Sequence, residues 1–184
     1  MDVSLWAEAV EPIVEALARL LPHEAEGFAV RGERLKEHLL ALHQKIYATL
    51  HTVPSPRRYL VTSHDAFAYF TRAYLSDIEE VWSDRCIAPD GIAPEGQMSL
   101  LDIRRVADHM CAFGITTVFP ESNVSCDPLA KVISVCNQLG HPAELADIPL
   151  YGDSFGKSRS YAEMMWHNCT ALERYMKESS CDLH

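Results

Sequence analysis

Two side chains about ninety positions apart, His64 and Asp153, have the types and settings needed to bind a metal ion. His64 directly follows Tyr59-Leu60-Val61-Thr62, which reads as a short buried strand. Asp153 lies in the loop Pro149-Leu150-Tyr151-Gly152-Asp153-Ser154-Phe155-Gly156, whose two glycines allow a tight path and close approach to a ligand. A neutral imidazole and a carboxylate are the mixed nitrogen and oxygen donors suited to zinc, manganese or iron. Each residue also has a plainer use. A His-Asp dipeptide ahead of a helix serves as a cap, with Asp65 holding backbone N–H groups and His64 exposed; an Asp between glycines serves as a turn residue. Glu121, in Phe119-Pro120-Glu121-Ser122, also falls at a strand end and with His64 and Asp153 could build a metal-dependent hydrolase centre.

These residues must be positioned by an alternating α/β chain. Val3, Trp6, Val10, Ile13, Val14, Leu17 and Leu21 recur at helical spacing, predicting one helix over 3–21 with a single buried face, ended by Pro22. A second helix runs from about Glu24 to His51 with Leu35, Leu39, Leu42, Ile46 and Leu50 on one stripe, unusually long for a globular protein. Val53-Pro54-Ser55-Pro56 breaks it, because proline neither donates to a ladder nor lets its predecessor stay helical. Beyond that boundary come the strand at 59–62 and a helix at 67–75. A loop rich in Pro and Gly follows at 88–96, then a helix from a Ser99 cap to Phe113, closed by Gly114. A strand at 115–119, a helix opened by Asp127-Pro128, a strand at 144–148 and a last helix from Ser160 to about Lys177 complete the order, and the tail 179–184 reads as frayed. Strand alternating with helix predicts right-handed crossovers and a parallel sheet covered on both sides, with the site at the carboxyl ends of the strands.

Composition narrows the partners. The 184 residues, 48% hydrophobic, suffice to bury a real core, and the net charge of −10 repels phosphate backbones, so nucleic acid is excluded as an expected partner while cations are not. No apolar run reaches a membrane-spanning length, and the start Met-Asp-Val-Ser-Leu-Trp lacks the features of a secretory signal. Six widely spaced cysteines include no C-x-x-C pair; Cys111 and Cys136 read as small buried hydrophobes, and disulfides stay open. The common hydrolase and nucleotide-binding signatures are absent, and Met164, Met165 and Met176 read as packing residues.

Five ordered strings carry a family resemblance. Val61-Thr62-Ser63-His64-Asp65-Ala66-Phe67 with Tyr69-Phe70 resembles the "VTSHDAFGYF" motif of the zinc, manganese and iron substrate-binding proteins of bacterial ABC importers. Ile92-Ala93-Pro94-Glu95 is similar to that family's "GISTE" loop, Val118 to Ser122 to its "IFVES" strand end, Leu150 to Gly156 to its "LYSDALG" loop, and Tyr161 to Asn168 to its "TYIGMMRHN" helix start. Asp2 to Trp6 resembles the stretch directly after the family's "DPHVW" motif.

The resemblance implies an α/β fold of two lobes joined by one long helix, with a divalent transition metal (zinc, manganese or iron) held between them as cargo. His64 then matches the third of four metal ligands and Asp153 the fourth, while Glu121 matches a position near the cleft that is not taken as a ligand. Residues 1–23 become the last helix of an absent N-terminal lobe, 24–52 the connecting helix, and 53–184 a three-layer C-terminal lobe with a short parallel sheet. The implied partner is the importer's permease, the implied location of the full-length protein periplasmic or cell-surface, and the implied role capture and delivery without covalent chemistry. Two ligands from one lobe cannot close a tetrahedral site, so weak binding is expected, weaker still as pH falls through histidine titration. A remnant that binds no metal is a further alternative. Apolar surface on Trp6, Val10 and Leu17 predicts self-association.

Overall fold

The computed structural model describes residues 1–77, 81–89 and 99–178. Helices α1 (Val3–Glu8), α2 (Val10–Leu20) and α3 (Ala25–Leu50) come first. The strands β1 (Leu60–Val61), β2 (Cys86–Ile87), β3 (Thr117–Val118) and β4 (Glu144–Leu145) then alternate with α4 (Ala68–Tyr74), α5 (Leu100–Phe113), α6 (Asp127–Gln138) and α7 (Tyr161–Glu178). The Ile92 to Glu95 string, most of the Pro- and Gly-rich loop, the tail and Cys181 lie outside the described residues.

The predicted 3–21 helix is two helices, hinged at Ala9. Pro12 explains the break: it has no N–H to give the carbonyl of Glu8, four residues back, and its ring crowds that carbonyl. The predicted single buried face is also only partly buried. Val3, Ala7 and Val10 are enclosed, but Trp6, Ile13, Leu17, Leu20 and Leu21 are exposed, so of the three residues expected at the surface Val10 is not. Val10 and Val14 lie against Gly32 of α3, where an added Cβ would run into the Val14 methyl; the two helices close here because that carbon is missing. The α3 stripe divides likewise: Ile46 and Leu50 are fully buried, Leu39 and Leu42 partly, and Leu35 is half exposed. Helix α3 packs against α1, α2 and α7, with the Lys45 ammonium 3.7 Å from the Trp166 ring centre.

The strands are parallel, as expected from the crossovers. β1 pairs with β2 (Leu60 opposite Cys86) and β3 with β4 (Thr117 opposite Glu144). A bridge between Thr62 and Phe119 joins the two pairs, giving the order β2-β1-β3-β4. Strand β2 was not expected; it is two residues long and carries no alternation to detect. The pleat sends Leu60 and Phe119 into a core with α3, α4 and α7, and Val61 and Val118 into a second core with α5 and α6. These are the three layers of a mixed α/β lobe. Ser99 caps α5 through a capping box with Asp102, as expected. Met164, Met165 and Met176 are buried, and Cys136 is buried beside Met110. Cys86, Cys111, Cys126, Cys136 and Cys169 are free thiols.

Tyr74 fastens the first helix to the lobe. Its hydroxyl accepts the Val3 N–H at 3.1 Å and lies 3.1 Å from His43 Nδ1, while burial pushes the phenol well above its ordinary pKa. Tyr74→Phe keeps the ring and orphans a buried N–H, so it should lower unfolding stability by about 1–3 kcal/mol. Chemical denaturation of the two proteins checks this, and equal midpoints would contradict it.

Candidate metal centre

Beyond Thr62 the chain leaves the ladder and turns His64 back over the strand tips. The Thr62 hydroxyl donates to the His64 carbonyl at 2.8 Å and the Ala66 N–H donates to the same oxygen at 3.0 Å. His64 is buried, not exposed as a capping dipeptide would leave it, and α4 begins at Ala68 after Phe67, with no side-chain hydrogen bond capping it. The neighbouring strand continues past Pro120, and Glu121 bridges Leu150: the Leu150 N–H donates to the Pro120 carbonyl at 2.8 Å and the Ser122 N–H to the Leu150 carbonyl at 3.0 Å. Three strand ends, carrying His64, Glu121 and the Asp153 loop, therefore arrive side by side.

Helix α7 clamps the third end. Asn168 accepts the Tyr151 N–H through Oδ1 and donates through Nδ2 to the Tyr151 carbonyl, both at 2.8 Å. His167 lies 2.8 Å from the Pro149 carbonyl through Nε2 and stacks on the Tyr151 ring at 4.2 Å. The string His167-Asn168 thus acquires a physical job, which is to hold the loop from which Asp153 projects.

His64 Nε2 lies 3.0 Å from Asp153 Oδ2. The histidine side chain is 2% exposed and the aspartate 64%, so the pair has one buried end and one end in solvent. On the other side of the ring, His64 Nδ1 is 2.8 Å from Glu121 Oε2, outside hydrogen-bond alignment, and Glu121 Oε1 accepts the His64 backbone N–H at 3.0 Å. Burial pushes the Glu121 carboxyl up from its ordinary pKa, opposed by the His64 N–H and ring. Glu121 and Asp153 consequently face opposite nitrogens of one imidazole. They form a line with His64 instead of a pocket, and among the described residues no group of three His, Cys, Asp or Glu side chains is arranged to enclose an ion. Sequence reasoning overlooked the crowding at Gly152, where a Cβ would sit 2.6 Å from Glu121 Oε2; only the fold brings these residues together.

Residues 1–175 match the family described as "ZnuA: Zinc-uptake complex component A periplasmic". The chain belongs to this family. Among ZnuA-family relatives, the metal-binding protein YtgA of Chlamydia muridarum is 38% identical over 175 residues, 93% of this chain and 53% of its own. The manganese-binding lipoprotein MntA of Bacillus subtilis is 27% identical over 180 residues, 96% of this chain and 56% of its own. The crystal structure of Fe(III)-bound YtgA from Chlamydia trachomatis superposes with a TM-score of 0.88 at 34% identity, covering 95% of this chain and 61% of that one. The periplasmic zinc-binding protein TroA from Treponema pallidum gives 0.82 at 25%, covering 95% and 61%. The chain spans about half the length of the curated relatives it matches. Among the described residues no helix is long and apolar enough to cross a membrane.

Proposed function

We propose that this chain is the portion of an ABC importer's substrate-binding component that supplies half of a transition-metal site, with His64 Nε2 and the Asp153 carboxylate as donors and zinc, manganese or iron as cargo. The supporting observation is the 3.0 Å approach of those two atoms at convergent strand ends. Donors bound 2.0–2.2 Å from one tetrahedral ion lie about 3.4 Å apart, so this pair needs to part by only about 0.4 Å to share one. Iron, manganese and zinc all appear in the relatives' names, and the donor types accommodate each. No covalent step is involved: the ion is captured outside the cytoplasmic membrane and passed to a permease.

In this reading residues 1–23 close a preceding lobe, 24–52 connect, and 53–184 form the second lobe, with the remaining donors upstream of Met1. The exposed Ile13, Leu17, Leu20 and Leu35 support it, since such a surface calls for cover. Zinc titration should find weak binding by the 184-residue chain and binding stronger by orders of magnitude when the relatives' other half is supplied in the same polypeptide. Equal affinity in the two would defeat the half-site. Sedimentation should also show self-association of the short chain; a compact monomer would count against an uncovered face.

A further inference from the structure

We propose that Cys111 of α5 and Cys136 of α6 are a dithiol that a small-molecule disulfide oxidises to an intramolecular disulfide, welding the two helices together. The proposal is independent of the metal reading. Helix α5 leads into β3 and α6 into β4, and those strands are a parallel pair. The two helices therefore run side by side in one direction and finish at the amino-terminal edge of that pair, the edge opposite the His64 site.

Each cysteine stands two residues before the end of its helix, Cys111 before Phe113 and Cys136 before Gln138. The segments just beyond those ends touch, with His141 Nε2 2.7 Å from the Ile115 carbonyl. Cys136 Sγ lies 3.8 Å from Sδ of Met110, the residue before Cys111, and the Cys111 thiol is itself a hydrogen-bonding neighbour of Cys136. The other described cysteines are placed elsewhere. Cys126 precedes the first turn of α6, ten positions (136 minus 126) and about 15 Å from Cys136; Cys169 lies across the sheet beneath Ile46, and Cys86 is on β2. Cys136 is fully buried, and burial pushes its thiol up to about 11, so it waits protonated. Cys111 is partly exposed and makes the first attack. It bonds to one sulfur of the small disulfide, whose S–S bond breaks. Cys136 then attacks Cys111 Sγ, forming the protein disulfide and expelling the second small thiol. Each departing thiolate takes up the proton that the attacking cysteine loses. Two protein thiols thus give up two electrons, and the small disulfide becomes two thiols.

Oxidised glutathione at mildly alkaline pH is the probe. Non-reducing protease digestion and mass spectrometry of the treated 184-residue chain should give a peptide pair joining Cys111 to Cys136 that disappears on reduction. Linking residues 25 positions apart (136 minus 111) should raise the thermal unfolding midpoint of the oxidised chain by about 5–10 °C over the reduced one. Cys136→Ala should stop with glutathione on Cys111, and Cys111→Ala should leave Cys136 reduced, neither gaining in midpoint on oxidation. If Cys136→Ala does not fold, Cys111→Ala, at a partly exposed position, carries the comparison. A parent in which Cys136 stays reduced, pairs with another cysteine, or leaves glutathione standing on Cys111 overturns the proposal. Formation of the bond with no rise in midpoint also overturns it, because α5 and α6 would then have left their packing to reach each other.

Discussion

Replacing His64 with alanine should remove zinc, manganese and iron binding from this chain, a loss larger than the ~10–100-fold that a merely supporting residue costs a metal site. The reason is arithmetic on donors. Among the described residues only His64 and Asp153 approach each other at the solvent-facing side of the strand tips, and a lone exposed carboxylate is no better for a transition metal than any other surface aspartate. Asp153→Asn gives the matching test from the other end. Its side chain is 64% exposed, so the change leaves the folded core alone and any effect belongs to the ion. Titration calorimetry with zinc checks both. If His64→Ala binds as tightly as its parent, the metal lies elsewhere on the protein.

Gly156→Ala should damage both stability and capture. Gly156 has a φ of 55°, and a Cβ there would enter the ring of Tyr151. The left-handed backbone costs a side chain about 1–2 kcal/mol, and forcing a methyl into a filled space adds about 1–3 kcal/mol. Against a total stability of about 5–15 kcal/mol, that is a large share. Tyr151 cannot simply rotate away, because it stacks on His167 and its backbone is held at both groups by Asn168. Thermal unfolding should show a lowered midpoint, and zinc titration of the protein that remains folded should show weaker binding. A midpoint equal to the parent's would mean that the loop has another way to fit.

The layers were legible in the sequence because their signals are periodic and local. The stripe of α3, the Ser99 box and the proline-marked boundary at 53–56 each rest on residues close in the chain. The Pro12 break escaped because the apolar period runs on across it, and the exposure of Ile13 and Leu17 escaped because amphipathic spacing says which face seeks cover but not whether cover is present. For the site, residue type and strand-end position singled out His64 and Asp153, and the ordered strings raised their standing above that of ordinary cap and turn residues. The opposed placement of Glu121 and Asp153 about one imidazole was out of reach, since it depends on the register between Glu121 and Leu150, residues 29 positions apart (150 minus 121).

His64 and Asp153 are moored to different parts of the fold. His64 rides on the sheet, whereas Asp153 belongs to a loop whose backbone is pinned to Asn168. A slide of α7 over the sheet would therefore reach one jaw of the grip and not the other, widening or narrowing the gap between them. α7 also lies along α3, through Lys45 on Trp166 and Cys169 beneath Ile46, so the helix that leads into the lobe has its hand on the same lever. On the proposed metal reading, a small shear along this one helical seam would change the spacing of the pair and with it the hold on a cation.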